Sequence, residues 1–198
     1  MDIKRGTIVT FLLLLLAAGC GGGGNGGQDT ASSHITAGWN NYKISAYDSA
    51  ISEFNKALTL NPTDSEASQA YCGLGWCYRQ KGNCGEAITK CDLAIGRNSS
   101  NADAYLAKAS AYLSKGGGKS DFEKAVTAAN QVLIINPSYS FPYDSNINYL
   151  DVYSLLAVAH LNLGNYLEAR NYVDIVLAED SNNITAQRVD EILKSINQ

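Results

Sequence analysis

Two stretches of this chain repeat each other. From Gly38 it reads GWNNYKISAYDSAISEFNKALTLNP, and from Gly75 it reads GWCYRQKGNCGEAITKCDLAIGRNS. They share Gly-Trp (Gly38-Trp39 and Gly75-Trp76), then Ala-Ile (Ala50-Ile51 and Ala87-Ile88), then a further alanine (Ala57 and Ala94), at a constant offset of 37 residues. A fixed period of this length implies stacked supersecondary units, each of which can bury its apolar face only against its neighbours. Nothing in the body alternates polar and apolar residues with period two, so strands are not expected.

These residues resemble the tetratricopeptide repeat (TPR). Its pattern is a bulky residue, Leu, a small residue and an aromatic on a first helix, followed by Ala, an aromatic and Ala on a second, then Pro. In the second unit Tyr71, Leu74, Gly75 and Tyr78 fill the first helix, Gly82 the turn, and Ala87 and Ala94 the second helix. The first unit has Gly38, Tyr47, Ala50, Phe54, Ala57 and Pro62, with His34 at the opening bulky place. A third offers Tyr105, Ala109, Tyr112, Phe122, Ala125 and Pro137; a fourth offers Leu156, Ala157, Gly164, Tyr166 and Ala169, with His160 at an aromatic place. Small residues let two helix axes approach while bulky ones fill the seam, so the pattern has a packing logic.

The resemblance implies an all-α, TPR-like α-solenoid of about four helix-turn-helix hairpins within residues 32–198. Beyond the fourth unit, Ile184, Val189, Ile192, Leu193 and Ile196 fall roughly along one helical face, as expected of the capping helix a solenoid requires. One segment breaks the period. SYSFPYDSNINYLDVY, residues 138–153, adds residues between the third and fourth units near 138–150, and its aromatic side chains are too apolar for a free loop. It either packs back on the array or lengthens the first turn of the fourth unit.

The N-terminus sets the compartment. Lys4 and Arg5 precede an apolar run from Ile8 to Ala18, the layout of a secretory signal peptide over residues 1–19. Leu16-Ala17-Ala18-Gly19 before Cys20 resembles the lipobox of bacterial lipoproteins, with the leucine one place further from the cysteine than in the commonest version. By that resemblance Cys20 is the acylated mature N-terminus, followed by a glycine-rich flexible tether over residues 20–31. Gly21 is not the Asp that retains some lipoproteins at the inner membrane, so a lipid-anchored place in the cell envelope, at the outer membrane facing the periplasm, is expected. Without Asp2, Lys4 and Arg5, the 15 basic and 19 acidic residues become 13 and 18. A mildly acidic chain is a poor partner for nucleic acid.

Four of the five cysteines, Cys72, Cys77, Cys84 and Cys91, lie in the second unit. There is no CxxC for thiol redox chemistry, and the spacings are wide for zinc, which normally takes paired ligands about two to four residues apart. An oxidising compartment permits disulfides. In an antiparallel hairpin Cys77 would face Cys84 near the turn, and Cys72 would face Cys91 far from it. A zinc site and reduced apolar filler stay open as alternatives. LSKGGGKS, with Leu113 where a phosphate loop needs its first glycine, is better read as a helix end followed by a Ser120–Glu123 capping box.

Two histidines, both at aromatic places of the repeat, leave no nucleophile-base-orienter set, so no enzyme and no cofactor are expected. The pattern suits a TPR lipoprotein of a subgroup sharing the Gly-Trp signature: a membrane-anchored scaffold for an envelope protein or peptide segment. Thiol-dependent or metal-binding chemistry at Cys72–Cys91 and a purely structural tether are the alternatives. In TPR arrays the first helices line the concave face, which nominates Trp39, Tyr42, Lys43, Trp76 and Arg79 as the partner-binding set; covering of the two indoles by the 138–153 segment is the competing expectation. The lipid anchor is checked by Cys20→Ser, which is expected to accumulate as unprocessed precursor on a size shift and metabolic-labelling assay; normal maturation would refute it.

Overall fold

The computed structural model describes residues 29–196; the expected signal peptide, Cys20 and nearly all of the tether lie outside the described residues. Among the described residues there are nine α-helices: α1 (Ala31–Lys43), α2 (Tyr47–Thr59), α3 (Asp64–Gln80), α4 (Cys84–Arg97), α5 (Ala102–Lys115), α6 (Lys119–Ile135), α7 (Tyr149–Leu163), α8 (Tyr166–Glu179) and α9 (Ile184–Ile196). An isolated antiparallel bridge, Ser140 to Asn148, is the sole β feature among them.

Local chemistry sets the boundaries. Thr30 with Ser33, Thr63 with Glu66, and Asn148 with Asp151 form reciprocal capping boxes that start α1, α3 and α7. Gly116 and Gly164 end α5 and α7 in the left-handed conformation, at φ of 56° and 76°, where a side chain would be strained. The expected Ser120 cap is not made. Gly118 takes the N-cap place of α6, and the buried Asp121 carboxylate turns back to accept the Gly117 N–H at 3.1 Å and pair with the Lys115 ammonium at 3.1 Å. The Asp121 carboxylate thereby satisfies an amide and a cation of the turn at once.

The helices pair as α1–α2, α3–α4, α5–α6 and α7–α8, and α9 closes the end against α7 and α8. Successive odd-numbered helices also touch one another, whereas the even-numbered ones do not among the described residues. The array therefore closes on its odd side, which makes α1, α3, α5 and α7 the inner layer. The all-α solenoid of four hairpins and a cap is the architecture found. In α9, however, Ala186, Val189 and Leu193 form the buried face, and Ile184, Ile192 and Ile196 stay largely exposed.

Phe54 of α2 shows why glycine recurs in the inner helices. A Cβ on Gly38 would lie 2.6 Å from its ring, and a Cβ on Gly73 2.2 Å from it. The ring is fully buried between two backbones, so it cannot swing aside. His34, at the opening bulky place of the first unit, is fixed between Glu53 at 2.5 Å and Asp29 at 2.6 Å, tying α1 to α2. His160 stacks on Tyr172, half-buried at the seam.

Gly73→Ala is expected to destabilise the protein by about 1–3 kcal/mol through overpacking, read as a fall in Tm. Phe54→Leu in the same chain should recover part of that loss by removing the ring edge; an unchanged Tm for Gly73→Ala would show that the seam is loose.

Candidate functional site

Trp39 and Trp76 sit at equivalent places on α1 and α3, on the inner layer, as the repeat demands. They do not form an open groove. Trp39 is 3% and Trp76 1% exposed, because the connection between α6 and α7 folds back over both. In this strap, residues 136–148, Tyr143 stacks flat on Trp39 with ring centroids 3.8 Å apart and 7° between planes, and Phe141 stacks on Trp76 at 4.5 Å and 29°. Phe141 also meets Trp39 edge-on at 5.8 Å. The strap holds its own shape: Phe141 N–H donates to the Ile147 carbonyl at 2.9 Å, and Ile147 N–H to the Asp144 carbonyl at 3.0 Å.

Of the other residues assigned to a concave binding face, Tyr42 is buried edge-on against both indoles, and burial pushes its phenol up to about 12. Lys43 is exposed, its ammonium 5.9 Å from the Tyr143 ring, and Arg79 lies 5.5 Å from the Trp76 ring. The structure brings Trp39, Tyr42 and Trp76 together, but as the floor beneath the strap; Arg79 lies against the Trp76 ring toward α5 and α7, and Lys43 stands at the strap's edge.

The polar groups around this floor are unevenly satisfied. Trp76 Nε1–H donates to the Asp103 backbone carbonyl at 3.2 Å, and the Tyr139 hydroxyl donates to the Asp103 carboxylate at 2.7 Å. The Trp39 indole N–H and the Arg79 Nε–H are buried without acceptors among the described residues. Burial holds the Asp103 carboxyl above its usual range, opposed by the Tyr139 hydrogen bond, and no basic group contributes. Beside it opens a cleft of about 440 Å³ between the start of α3, the α4–α5 turn and the strap. Sequence reasoning missed Asp103 and Tyr139. An Asp in the first turn of a helix looks like an ordinary dipole partner, and Tyr139 looked like one aromatic among several in the inserted segment.

The fold comparisons agree with the repeat. A tetratricopeptide-repeat family model matches residues 36–102, and the model of the Fis1 C-terminal tetratricopeptide repeat matches residues 151–195. Together they cover more than half of the chain. It is a tetratricopeptide-repeat protein. Comparison with curated proteins gave no match. Among solved structures, this TPR chain is similar to a tetratricopeptide repeat protein from Parabacteroides merdae, at 20% identity and a TM-score of 0.65, covering 84% of this chain and 60% of that one. MamA gives 23% identity and a TM-score of 0.60, covering 76% and 73%. YrrB, described as a TPR protein with an unusual peptide-binding site, gives 16% and 0.62, covering 81% and 74%. At these identities the likeness is one of fold.

The four cysteines of the second repeat are free thiols, so neither the Cys77–Cys84 nor the Cys72–Cys91 bridge is formed. The reason is angular. Five residues along a helix turn through about 140° beyond a full circle, which sends Cys72 and Cys77 to different neighbours. Cys72 lies toward Asp103 and Trp76, Cys77 toward Asp48 and Lys81, and the centre of the α3–α4 seam belongs to Gly75, whose Cβ would lie 2.5 Å from Cys91 Sγ. Burial pushes the Cys77 thiol up to about 12 and raises Cys72 and Cys91 as well, the opposite of an activated thiolate. Among the described residues no cluster of His, Cys, Asp or Glu has the geometry of a metal site.

Because both indoles are core, Trp76→Ala is expected to cost about 3–5 kcal/mol of stability, measured by denaturant unfolding. A loss under about 1 kcal/mol with the fold intact would return Trp76 to the role of an exposed contact.

Proposed function

We propose that this protein is a non-catalytic interaction and assembly scaffold of the bacterial cell envelope, lipid-anchored through Cys20 and held off the membrane by its glycine-rich tether. The observation that carries the reading is a TPR array whose aromatic strap packs on the inner helical layer and builds a defined cleft at its edge, with Lys43 exposed beside it. Arrays of this kind bind peptides or proteins along such surfaces, and YrrB, a structural neighbour, is described by its peptide-binding site. Interaction scaffolds need shape and fixed polar groups, both present here, and do not need a nucleophile or a metal. The buried, protonated thiols weigh against thiol chemistry.

The lipobox resemblance and Gly21 support an outer-membrane place facing the periplasm. Within the described residues no helix is long and apolar enough to cross a membrane, so attachment in this reading falls to the acyl chains of Cys20, which exceed the two-signal need for stable anchoring.

The test is a crosslinking pull-down from native membranes with the full-length protein as bait, compared with a bait carrying only the signal peptide and tether. Capture of a small set of envelope proteins by the full chain alone is expected. Identical captures by both baits would reduce the repeat domain to a structural spacer.

A further inference from the structure

The cleft beside Asp103 has chemistry that the scaffold reading alone does not use. Its walls carry Gln69 from α3, Asn98 from the α4–α5 turn, Asp103 from the first turn of α5, and Asn136, Tyr139 and Tyr143 from the strap. Asp103 is the sole ionisable group of either sign in this lining apart from thiol and phenols. One carboxylate oxygen accepts from Tyr139 at 2.7 Å, and no basic side chain pairs with the carboxylate among the described residues. A desolvated carboxylate without a counter-charge is costly, and the cost falls sharply when a cation arrives.

An anion is disfavoured although the cleft adjoins the start of α5. Of the N–H groups there, Ala104's is taken by the Asn101 side-chain oxygen at 3.0 Å and Ala102's by the Ser100 carbonyl at 3.1 Å, and the Asp103 carboxylate would repel an anion. The amides of the cleft point to a second feature of the ligand. Asn98 and Asn136 each spend their side-chain oxygen on a backbone N–H two residues on, at 3.0 and 3.2 Å, so on this exposed rim their NH₂ groups can donate to an incoming carbonyl in place of water. Trp39 lines the same cleft with its buried N–H unsatisfied. A bare amine would answer Asp103 but none of these donors. A peptide answers both, its carbonyls meeting the amides while a charged side chain reaches the carboxylate and lays its aliphatic stem along Tyr143.

We propose that the cleft bounded by α3, the α4–α5 turn and the strap is a recognition pocket for a lysine or arginine side chain presented by an extended segment of the partner protein. This rests on the reading of the chain as an interaction scaffold and specifies one element of what it recognises. Asp103 is the charge partner, Tyr139 holds its carboxyl in place, and Asn98, Asn136 and Gln69 receive the main chain on either side of the basic residue.

The probes are blocked heptapeptides of Gly, Ser and Ala carrying Lys, Arg, Glu or norleucine at the centre, titrated against the helical domain by NMR shifts of the Trp39 indole and the Asn side chains. Lys- and Arg-centred peptides are expected to bind about tenfold or more tighter than the Glu and norleucine ones, the size expected of one charge-assisted hydrogen bond. Asp103→Asn keeps an oxygen for Tyr139 and should fold, yet lose that preference. Gln69→Lys, at an exposed position, should weaken the Lys and Arg peptides by placing a cation at the mouth. Equal binding of all four peptides, a preference unchanged in Asp103→Asn, or spermidine binding tighter than any peptide would overturn the proposal. If Asp103→Asn still captures the same membrane partner as wild type, the pocket proposal fails while the scaffold reading stands; absence of any partner for wild type is the separate failure of the scaffold reading.

Discussion

The Phe54 ring touches two helices through places where neither has a side chain. By filling the space above Gly38 and Gly73 it fixes how closely α1 and α3 approach, and the repeat then sets Trp39 and Trp76, each one residue after the small place of its own unit, side by side on the inner layer. With that spacing fixed, two indoles form a platform wide enough for two more rings. A larger residue at either glycine would move one indole away from the other, and the strap would lose its seat.

The strap uses that platform fully. Phe141 and Tyr139 are almost fully buried, at 1% and 2% exposure, each worth roughly 1.5–3 kcal/mol in removed apolar surface. Stacked aromatic pairs add about 0.5–1.5 kcal/mol apiece. Against this stand two buried donors without acceptors, on Trp39 and Arg79, at a cost of roughly 1–3 kcal/mol each. The balance favours a strap that stays down, so the concave face here is part of the core and recognition moves to the edges that the strap builds.

Much of this architecture is legible in the sequence because it depends on local, periodic signals. Gly38, Gly75, the paired alanines and Pro137 report helix contacts and helix ends directly, and the aromatic density of residues 138–153 signals a segment that must be covered. Which rings it covers is a tertiary outcome, and the two readings of the tryptophans, groove or core, separate only when the strap is seen lying on them. The cysteines show the same limit from the other side. Their place in one hairpin suggests bridges, but the azimuth of each on its helix sends Cys72 and Cys77 apart, and at the seam centre it is Gly75 whose Cβ would lie against Cys91. Asp103 carried no signal at all, because its chemistry comes from Tyr139, 36 residues away.

The central claim is that the protein's own aromatic segment occupies its inner face in solution. Two-dimensional NOE spectroscopy of the helical domain tests it directly, since the chain has only two tryptophans. Cross-peaks from the Trp39 ring to Tyr143 and from the Trp76 ring to Phe141, with both indoles shielded from solvent, are the result the account predicts. Sharp, solvent-exchanging indole signals without contacts to either strap residue would contradict it.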